Sequence, residues 1–341
     1  MKKNGWLIFL VMVGLCILTA CGSTEDTQGE ANEEAESGSE EAATEGPFEI
    51  GVTQIVEHPS LDAAFEGFQK AIEDGGLDDV EYDVQIAQGD MSNSQTIATN
   101  FAGDNVDLIF ANSTQSAQSS LNATSEIPIL FTSVTDPVGA DLVPSLEEAG
   151  SNITGTTDTH PEAVPNTVQF MEEEMDGINK VGMIYNSGEQ NSVSQVNIVK
   201  EAMDGTSLEV VEASVSNSAE VQQAAESLVG RVDAFYIITD NTVVSALESV
   251  IGVSKDQDIP LFVGELDSVE RGGFAGYGFD YYDIGYQTGE MAVSILKGEK
   301  DASEISPEVP SKLKLVINKQ AAEEMGVELK EEWNDKAEFI E

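Results

Sequence analysis

The sequence predicts an α/β protein of two Rossmann-like, parallel-sheet lobes joined by hinge crossovers. Three observations carry that expectation. First, VDLIFANSTQSAQ (residues 106–118) is a buried-strand run that stops at Asn112-Ser113-Thr114 and opens a small-residue helix. Second, the same plan returns half a chain later in VDAFYIITDNTVVSAL (residues 232–247). Third, each copy is followed by a strand introduced by Ile-Pro, at Ile127 and at Ile259. Matched strand–turn–helix–strand units indicate a duplicated architecture, with ligands bound where the strand ends face one another.

Taken in order, residues 49–53 read as a first strand. The helix after it carries Leu61, Ala64, Phe65, Phe68 and Ile72 on one stripe and stops at Gly75-Gly76. Residues 80–87 alternate as a second strand, and Ser92 or Asn93 is placed to cap the helix bearing Ile97 and Phe101. The strands at 106–110 and 127–131 follow, and a crossing is expected at 153–158. The second series has a helix through Val168 and Met171, a strand at 180–185, and a helix striped by Val193, Val196, Val199 and Met203. Next come a strand at 208–213, a helix with Val221, Ala224, Ala225 and Leu228, and the strand at 233–238. A single helix striped by Val243, Val244, Leu247, Val250 and Ile251 leads to a strand at 261–263. A short strand and return at 274–285 feed a helix with Ile284, Thr288, Met291 and Ile295; the strand 312–317 and helix 319–325 end the fold. The expected organisation is lobe 1 at 47–157 plus 275–300, and lobe 2 at 158–274 plus 301–341.

The first 46 residues read differently. Lys2 and Lys3 precede a 13-residue apolar run, WLIFLVMVGLCIL, and Leu18-Thr19-Ala20-Cys21 has the pattern of a bacterial lipoprotein cleavage site. Residues 1–20 are therefore expected to be a signal peptide and Cys21 the lipidated residue, making the membrane association a lipid anchor only. Residues 21–46 are glutamate-rich with no basic residue, a composition that suits an extended tether reaching roughly 25–30 Å. The formal charge of −48 argues against nucleic acid as a partner. With both cysteines in the first 21 residues and two histidines in all, a disulfide framework and a Cys- or His-rich metal site in the body are excluded. No G-x-S-x-G, G-x-G-x-x-G or P-loop pattern supports catalysis, so no enzyme and no cofactor are expected.

The strand ends carry the candidate site. In lobe 1 these are Thr53, Gln54, His58, Ser113, Thr114, Thr135 and Asp136; in lobe 2, Asn186, Asn191, Ser192, Asp240, Asn241, Glu265 and Asp267. Such residues are also ordinary helix caps. Their types divide, however. Hydroxyls at Ser113, Thr114 and Thr135 suit a carboxylate, and the acids Asp240, Glu265 and Asp267 suit an ammonium group. A zwitterionic amino acid bridging the lobes satisfies both, with Phe131, Tyr185, Tyr236 and Phe279 as candidate walls.

Read together, VTQIVEHPSLDAAFEGF, AQGDMSNSQTIA, VDLIFANSTQSAQ, FTSVTDPVGA, GMIYNSGEQNSV, VDAFYIITDNTVVSALES and YGFDYYDIGYQTGEMAVSILKG resemble the substrate-binding lipoproteins of tryptophan/tyrosine-type ABC transporters, over about Phe48 to Val327. The resemblance implies a type I periplasmic-binding-protein fold with three interlobe crossovers and a ligand trapped by lobe closure. It implies delivery to an ABC permease and ATPase, and a monomer on the outer face of the bacterial cell membrane. It also implies that first-lobe Ser/Thr ends hold a ligand carboxylate and a second-lobe acid, Asp240, Glu265 or Asp267, holds the amine; the family often has Asp where this chain has Glu265. The ligand implied is a small amino acid, tryptophan or another aromatic one. A ligand-binding sensor lipoprotein signalling to a membrane receptor is the alternative.

Overall fold

The computed structural model describes residues 47–341. The expected signal peptide, the lipidation site Cys21 and the tether lie outside the described residues.

The first sheet is formed by β1 (Phe48–Gln54), β2 (Val80–Ile86), β3 (Leu108–Asn112), β4 (Ile129–Val134) and β5 (Ile153–Thr157). All are parallel, in the order β2-β1-β3-β4-β5. The intervening helices are α1 (Pro59–Asp74), α2 (Met91–Asp104) and α3 (Thr114–Ala123). β3 and β4 are buried on both faces, which is why they read as continuous apolar runs rather than alternating ones. The edge strand β2 alternates because one face meets water. Asp90 caps α2, accepting from the backbone N–H of Ser92 and Asn93. The capping role expected of Ser92 or Asn93 thus falls two to three residues earlier, on an acid whose charge also suits a helix start.

The second sheet comprises β6 (Lys180–Asn186), β7 (Glu209–Val215), β8 (Ala234–Ile237), β9 (Leu261–Val263), β10 (Ala275–Gly278), β11 (Lys314–Asn318) and β12 (Ala337–Ile340). Its order is β12-β11-β10-β9-β8-β6-β7, so the run β7-β6-β8-β9-β10 repeats the order of the first sheet. The helices are α4 (Ala163–Glu174), α5 (Gln190–Met203), α6 (Val221–Leu228), α7 (Asn241–Val244), α8 (Leu247–Asp256), α9 (Leu266–Glu270), α10 (Tyr281–Leu296) and α11 (Lys319–Glu324). The single helix expected at 243–251 is two, α7 and α8, broken around Ser245-Ala246. Val193 sits 40% exposed, since α5 turns Asn191, Ser192 and Gln195 inward instead. The two C-terminal strands depart from the parallel plan: β11 runs antiparallel to β10, and β12, which was not expected, adds alongside it. Trp333 lies buried beneath them, its ring against Phe170 and Phe274.

The chain crosses between lobes after β5, after β10 and after α10. Hydrogen bonding draws the boundaries differently from the expected ones. β10 pairs with β9 and β11, so residues 275–278 belong to the second sheet. α10 returns to the first lobe and packs along α1, and the segment after it still follows the first sheet, with Glu308 bridging Thr156. The α1–α10 contact is backbone-close. A Cβ on Gly285 would collide with the carbonyl of Ala64, and one on Gly67 with that of Tyr282, so only glycine permits this approach.

Candidate ligand-binding cleft

The carboxyl ends of both sheets point toward a common cleft, with the N-termini of α1, α3, α5, α7 and α9 around it. On the first lobe, Ser113 adopts φ 144° and its Oγ accepts from the Ser116 N–H at 3.1 Å, starting α3. Positive φ at a serine is strained and marks a strand end held by its surroundings. Those surroundings are Asn112, which donates from Nδ2 to Gln54 Oε1 (3.0 Å) and to the Leu61 carbonyl (2.7 Å), and accepts from Ser133 Oγ (2.7 Å). Gln54 donates in turn to the Val56 carbonyl and to Asp62 (2.9 Å each). Gln54 is therefore engaged in bracing β1 against β3, and Thr53 meets Ser116 at the limit of a hydrogen bond, 3.5 Å. Thr114 Oγ1 and His58 Nδ1 are buried without a hydrogen-bond partner. His58 faces Asn241 of the second lobe, and burial lowers its pKa to about 4, with Arg271 acting in the same direction.

The second-lobe ends form a hydrogen-bonded network around two buried acids, Glu189, which sequence reasoning missed, and Asp240, which burial and the charge of Glu189 push up to about 7. Glu189 is buried; its Oε2 accepts from Asn241 Nδ2 (2.8 Å) and the Asn241 N–H (3.3 Å). Its Oε1 accepts from the Thr242 hydroxyl (2.7 Å) and N–H (3.1 Å). Asp240 is likewise engaged: Oδ1 accepts from Val243 N–H (2.8 Å), capping α7, and Oδ2 from Asn186 N–H (2.6 Å). Asn186 also donates to Thr242 Oγ1 and accepts from Gly188 N–H, 2.9 Å each. The amine-holding role expected of Asp240 meets a carboxylate already occupied by backbone donors. The signal for Glu189 lies in its place in NSGEQNS immediately before α5, where a carboxylate reaches neighbouring helix N-termini.

The lobes touch directly. Gln115 Nε2 donates to Asn191 Oδ1 (3.2 Å), Gln195 Nε2 to Thr135 Oγ1 (3.0 Å), and Ser194 Oγ to Asp136 Oδ2 (3.0 Å). Gln195 also bonds Thr239, and Asn191 Nδ2 reaches Ser192 Oγ at 3.3 Å. At the base of the cleft, Asp158 accepts from Thr135 Oγ1 and from the Tyr281 phenol, 2.9 Å each. Facing it from the second lobe are Glu265, which accepts from Ser268 Oγ at 2.7 Å, and Asp267; the hydroxyl of Ser60 on α1 faces both. Burial pushes Asp158 and Asp267 up to about 6, with the charge of Glu265 adding to each; burial raises Glu265 as well. The charge of Arg271 lowers the pKa of Glu265; its guanidinium donates to Glu248 through Nε and Nη2, 2.9 Å each, and its Nη1 is buried without a hydrogen-bond partner. Three acids thus gather here, and among the described residues the cation whose charge reaches them is Arg271, which acts on Glu265 while ion-paired to Glu248.

Toward the mouth lies a cavity of about 510 Å³, lined on the first lobe by Ile55, Val56, Gln88, Gly89, Met91 and Gln115, and on the second by the loops around Glu189, Asn217 and Thr242. That size suits a small organic ligand. Of the aromatic walls expected from the sequence, Phe131 and Tyr236 are core and Tyr185 bonds Glu212, while Phe279 stacks on Tyr281 beside the cleft base. Among the described residues no cluster of His, Cys, Asp and Glu is arranged to hold a metal ion, and no helix is long and apolar enough to cross a membrane.

Comparison with known proteins agrees with this architecture. Residues 49–339 match the family model described as ABC transporter substrate binding protein. A tyrosine-binding protein of Clostridioides difficile (strain R20291) is 41% identical over 320 residues, 93% of this chain and 90% of the relative. The ABC domain in complex with L-Trp from Streptococcus pneumonia is 31% identical with a TM-score of 0.82, covering 87% of this chain and 100% of that one. The ligand-free, open structure of CD0873, a substrate binding protein with adhesive properties from Clostridium difficile, is 39% identical over 86% of this chain and 99% of that one, with a TM-score of 0.64. The better superposition on the complexed relative, despite its lower identity, matches the direct hydrogen bonds between the lobes. Fold, cleft and relatives converge: the chain has the type I periplasmic-binding-protein fold and belongs to the family of ABC transporter substrate-binding proteins, which are not enzymes.

Proposed function

We propose that this chain is the extracytoplasmic solute receptor of an ABC importer, lipid-anchored through Cys21, that closes its lobes on an aromatic amino acid such as tyrosine or tryptophan and presents it to the permease and ATPase. The observation that carries the amino-acid reading is the gathering of Asp158, Glu265 and Asp267 at the cleft base, facing one guanidinium, Arg271, that is already ion-paired to Glu248. Buried carboxylates are costly unless paired, and a ligand ammonium supplies the missing charge. Thr114 and Ser113 at the start of α3, where backbone N–H groups emerge, suit the ligand carboxylate. Of the three acids expected to hold the amine, this reading keeps Glu265 and Asp267, adds Asp158 and sets Asp240 aside. The relatives named for tyrosine and crystallised with L-Trp support an aromatic side chain.

Calorimetric titration of the protein with the twenty amino acids tests this reading. Tyrosine or tryptophan is expected to bind, and the matching deaminated acids, 3-(4-hydroxyphenyl)propionate and indole-3-propionate, at least about a hundredfold more weakly, the cost of leaving buried acids unpaired. Silence toward every amino acid removes the proposal. Equal affinity for the deaminated acids removes the amine site.

A further inference from the structure

Gln115 is the second residue of α3, 5% exposed, and it lines the cleft cavity. The neighbouring network decides which way its amide points. Asn191 Nδ2 lies within reach of the Thr239 carbonyl (3.3 Å) and of Glu189 Oε2 (3.4 Å), both of which can only accept. Asn191 must therefore present Oδ1 to Gln115, and Gln115 must offer Nε2 to it across the lobes, at 3.2 Å. The remaining atom, Gln115 Oε1, is an obligate acceptor, and it is buried without a partner.

The rest of the cavity wall sharpens the contrast. Glu189, Asn241 and Thr242 satisfy one another. Ile55, Val56 and Met91 offer apolar surface. Among the described residues lining this cavity, Gln115 Oε1 is the one buried side-chain acceptor left open. A site that keeps such an atom rejects ligands unable to donate to it, because the acceptor then stays desolvated and unpaired.

We infer that Gln115 is a specificity-determining residue, accepting a hydrogen bond from a ring N–H or O–H of the ligand side chain and so selecting phenol or indole over phenyl. This rests on the amino-acid reading above. It assigns the α-amino and α-carboxyl groups to the cleft base and α3 start, and the ring to the cavity side of Gln115.

The test is a calorimetric series on the intact protein with L-tyrosine, L-tryptophan, L-phenylalanine, O-methyl-L-tyrosine and 1-methyl-L-tryptophan. Tyrosine or tryptophan should bind at least about tenfold more tightly than phenylalanine and than its own methylated form. In Gln115→Leu that gap should close, over and above any loss of affinity common to every ligand from the missing bond to Asn191 across the lobes. The ligand series on the wild-type protein needs no variant, so a folding defect in Gln115→Leu cannot shelter the idea. Binding of amino acids with no preference for the ring donor overturns the role of Gln115 and leaves the receptor reading intact. A gap that persists in folded Gln115→Leu overturns it too. If no amino acid binds, both fall.

Discussion

Tyr281 donates its phenolic O–H to Asp158 across 2.9 Å, and the two residues stand on different chain crossings between the lobes. Asp158 follows β5, and Tyr281 opens α10 just after β10. A buried carboxylate thus ties two strands of the hinge together, at the base of the cleft that the lobes close.

Removing that phenol should be felt in stability and in titration alike. Tyr281→Phe is expected to cost about 1–2 kcal/mol, the worth of a buried hydrogen bond to a charged group, in denaturant unfolding. The bond lowers the pKa of Asp158, so its loss should also move the pH midpoint of ligand affinity upward. An unchanged midpoint would detach Asp158 from the binding event.

The pH dependence of binding has a definite sign. Asp158 and Asp267 titrate near 6 in the ligand-free protein, raised by burial and by Glu265. A ligand ammonium among them stabilises the carboxylates, so the complex holds fewer protons than the free protein. Affinity should therefore be full above about pH 7 and fall as the pH drops through 6. Calorimetry in buffers of different ionisation enthalpy should record proton release on binding near pH 6; proton uptake would contradict the arrangement.

Stability of the ligand-free protein follows the opposite course at this acid. A carboxyl whose folded pKa is raised favours the folded state at low pH, and that contribution is lost as pH rises from about 4 through 6. Asp158→Asn should accordingly raise the melting temperature of the ligand-free protein at pH 7.5, by an amount equivalent to about 1 kcal/mol, while weakening ligand binding. His58 works against this trend, since its lowered pKa gives stability that is present above 6.5 and lost toward about 4. The comparison of wild type and variant at one pH cancels that term.

Asp240 should behave as a structural acid. Asp240→Ala removes the cap of α7 and the acceptor for Asn186 N–H, and about 2–3 kcal/mol of folding stability with them. Full stability together with lost affinity in this variant would return Asp240 to the ligand.

Gly285→Ala should be among the most damaging small changes, because the added methyl meets the Ala64 carbonyl rather than a movable side chain. A loss of about 3 kcal/mol or more is expected from urea unfolding, or failure to accumulate folded protein.

Much of this architecture can be read from periodicity. The apolar runs at 106–110 and 233–238, the stripes of α1, α6 and α10, and the polar strand ends all lie where alternation and helical spacing put them. β12 escaped notice because Ala337–Ile340 is a short edge segment whose pairing partner, β11, is more than a dozen residues earlier. The split between α7 and α8 escaped because the apolar stripe continues through the break.

The cleft was legible in a different measure. Residue types alone marked the strand ends as polar and placed acids on the second lobe, because side-chain chemistry is a property of each position. Whether a polar atom is free or already engaged is a property of pairs: Asp240 is spent on Asn186, 54 residues away, and Asn112 on Gln54, 58 away. Asp158 and Tyr281, 123 residues apart, meet only because two crossings run side by side. Local sequence carries the period of an element and the charge of its end, whereas hydrogen-bond partners are assigned by packing. Folding therefore converted a list of candidate polar residues into braces such as Gln54 and Asp240 and open groups such as Thr114 and Gln115.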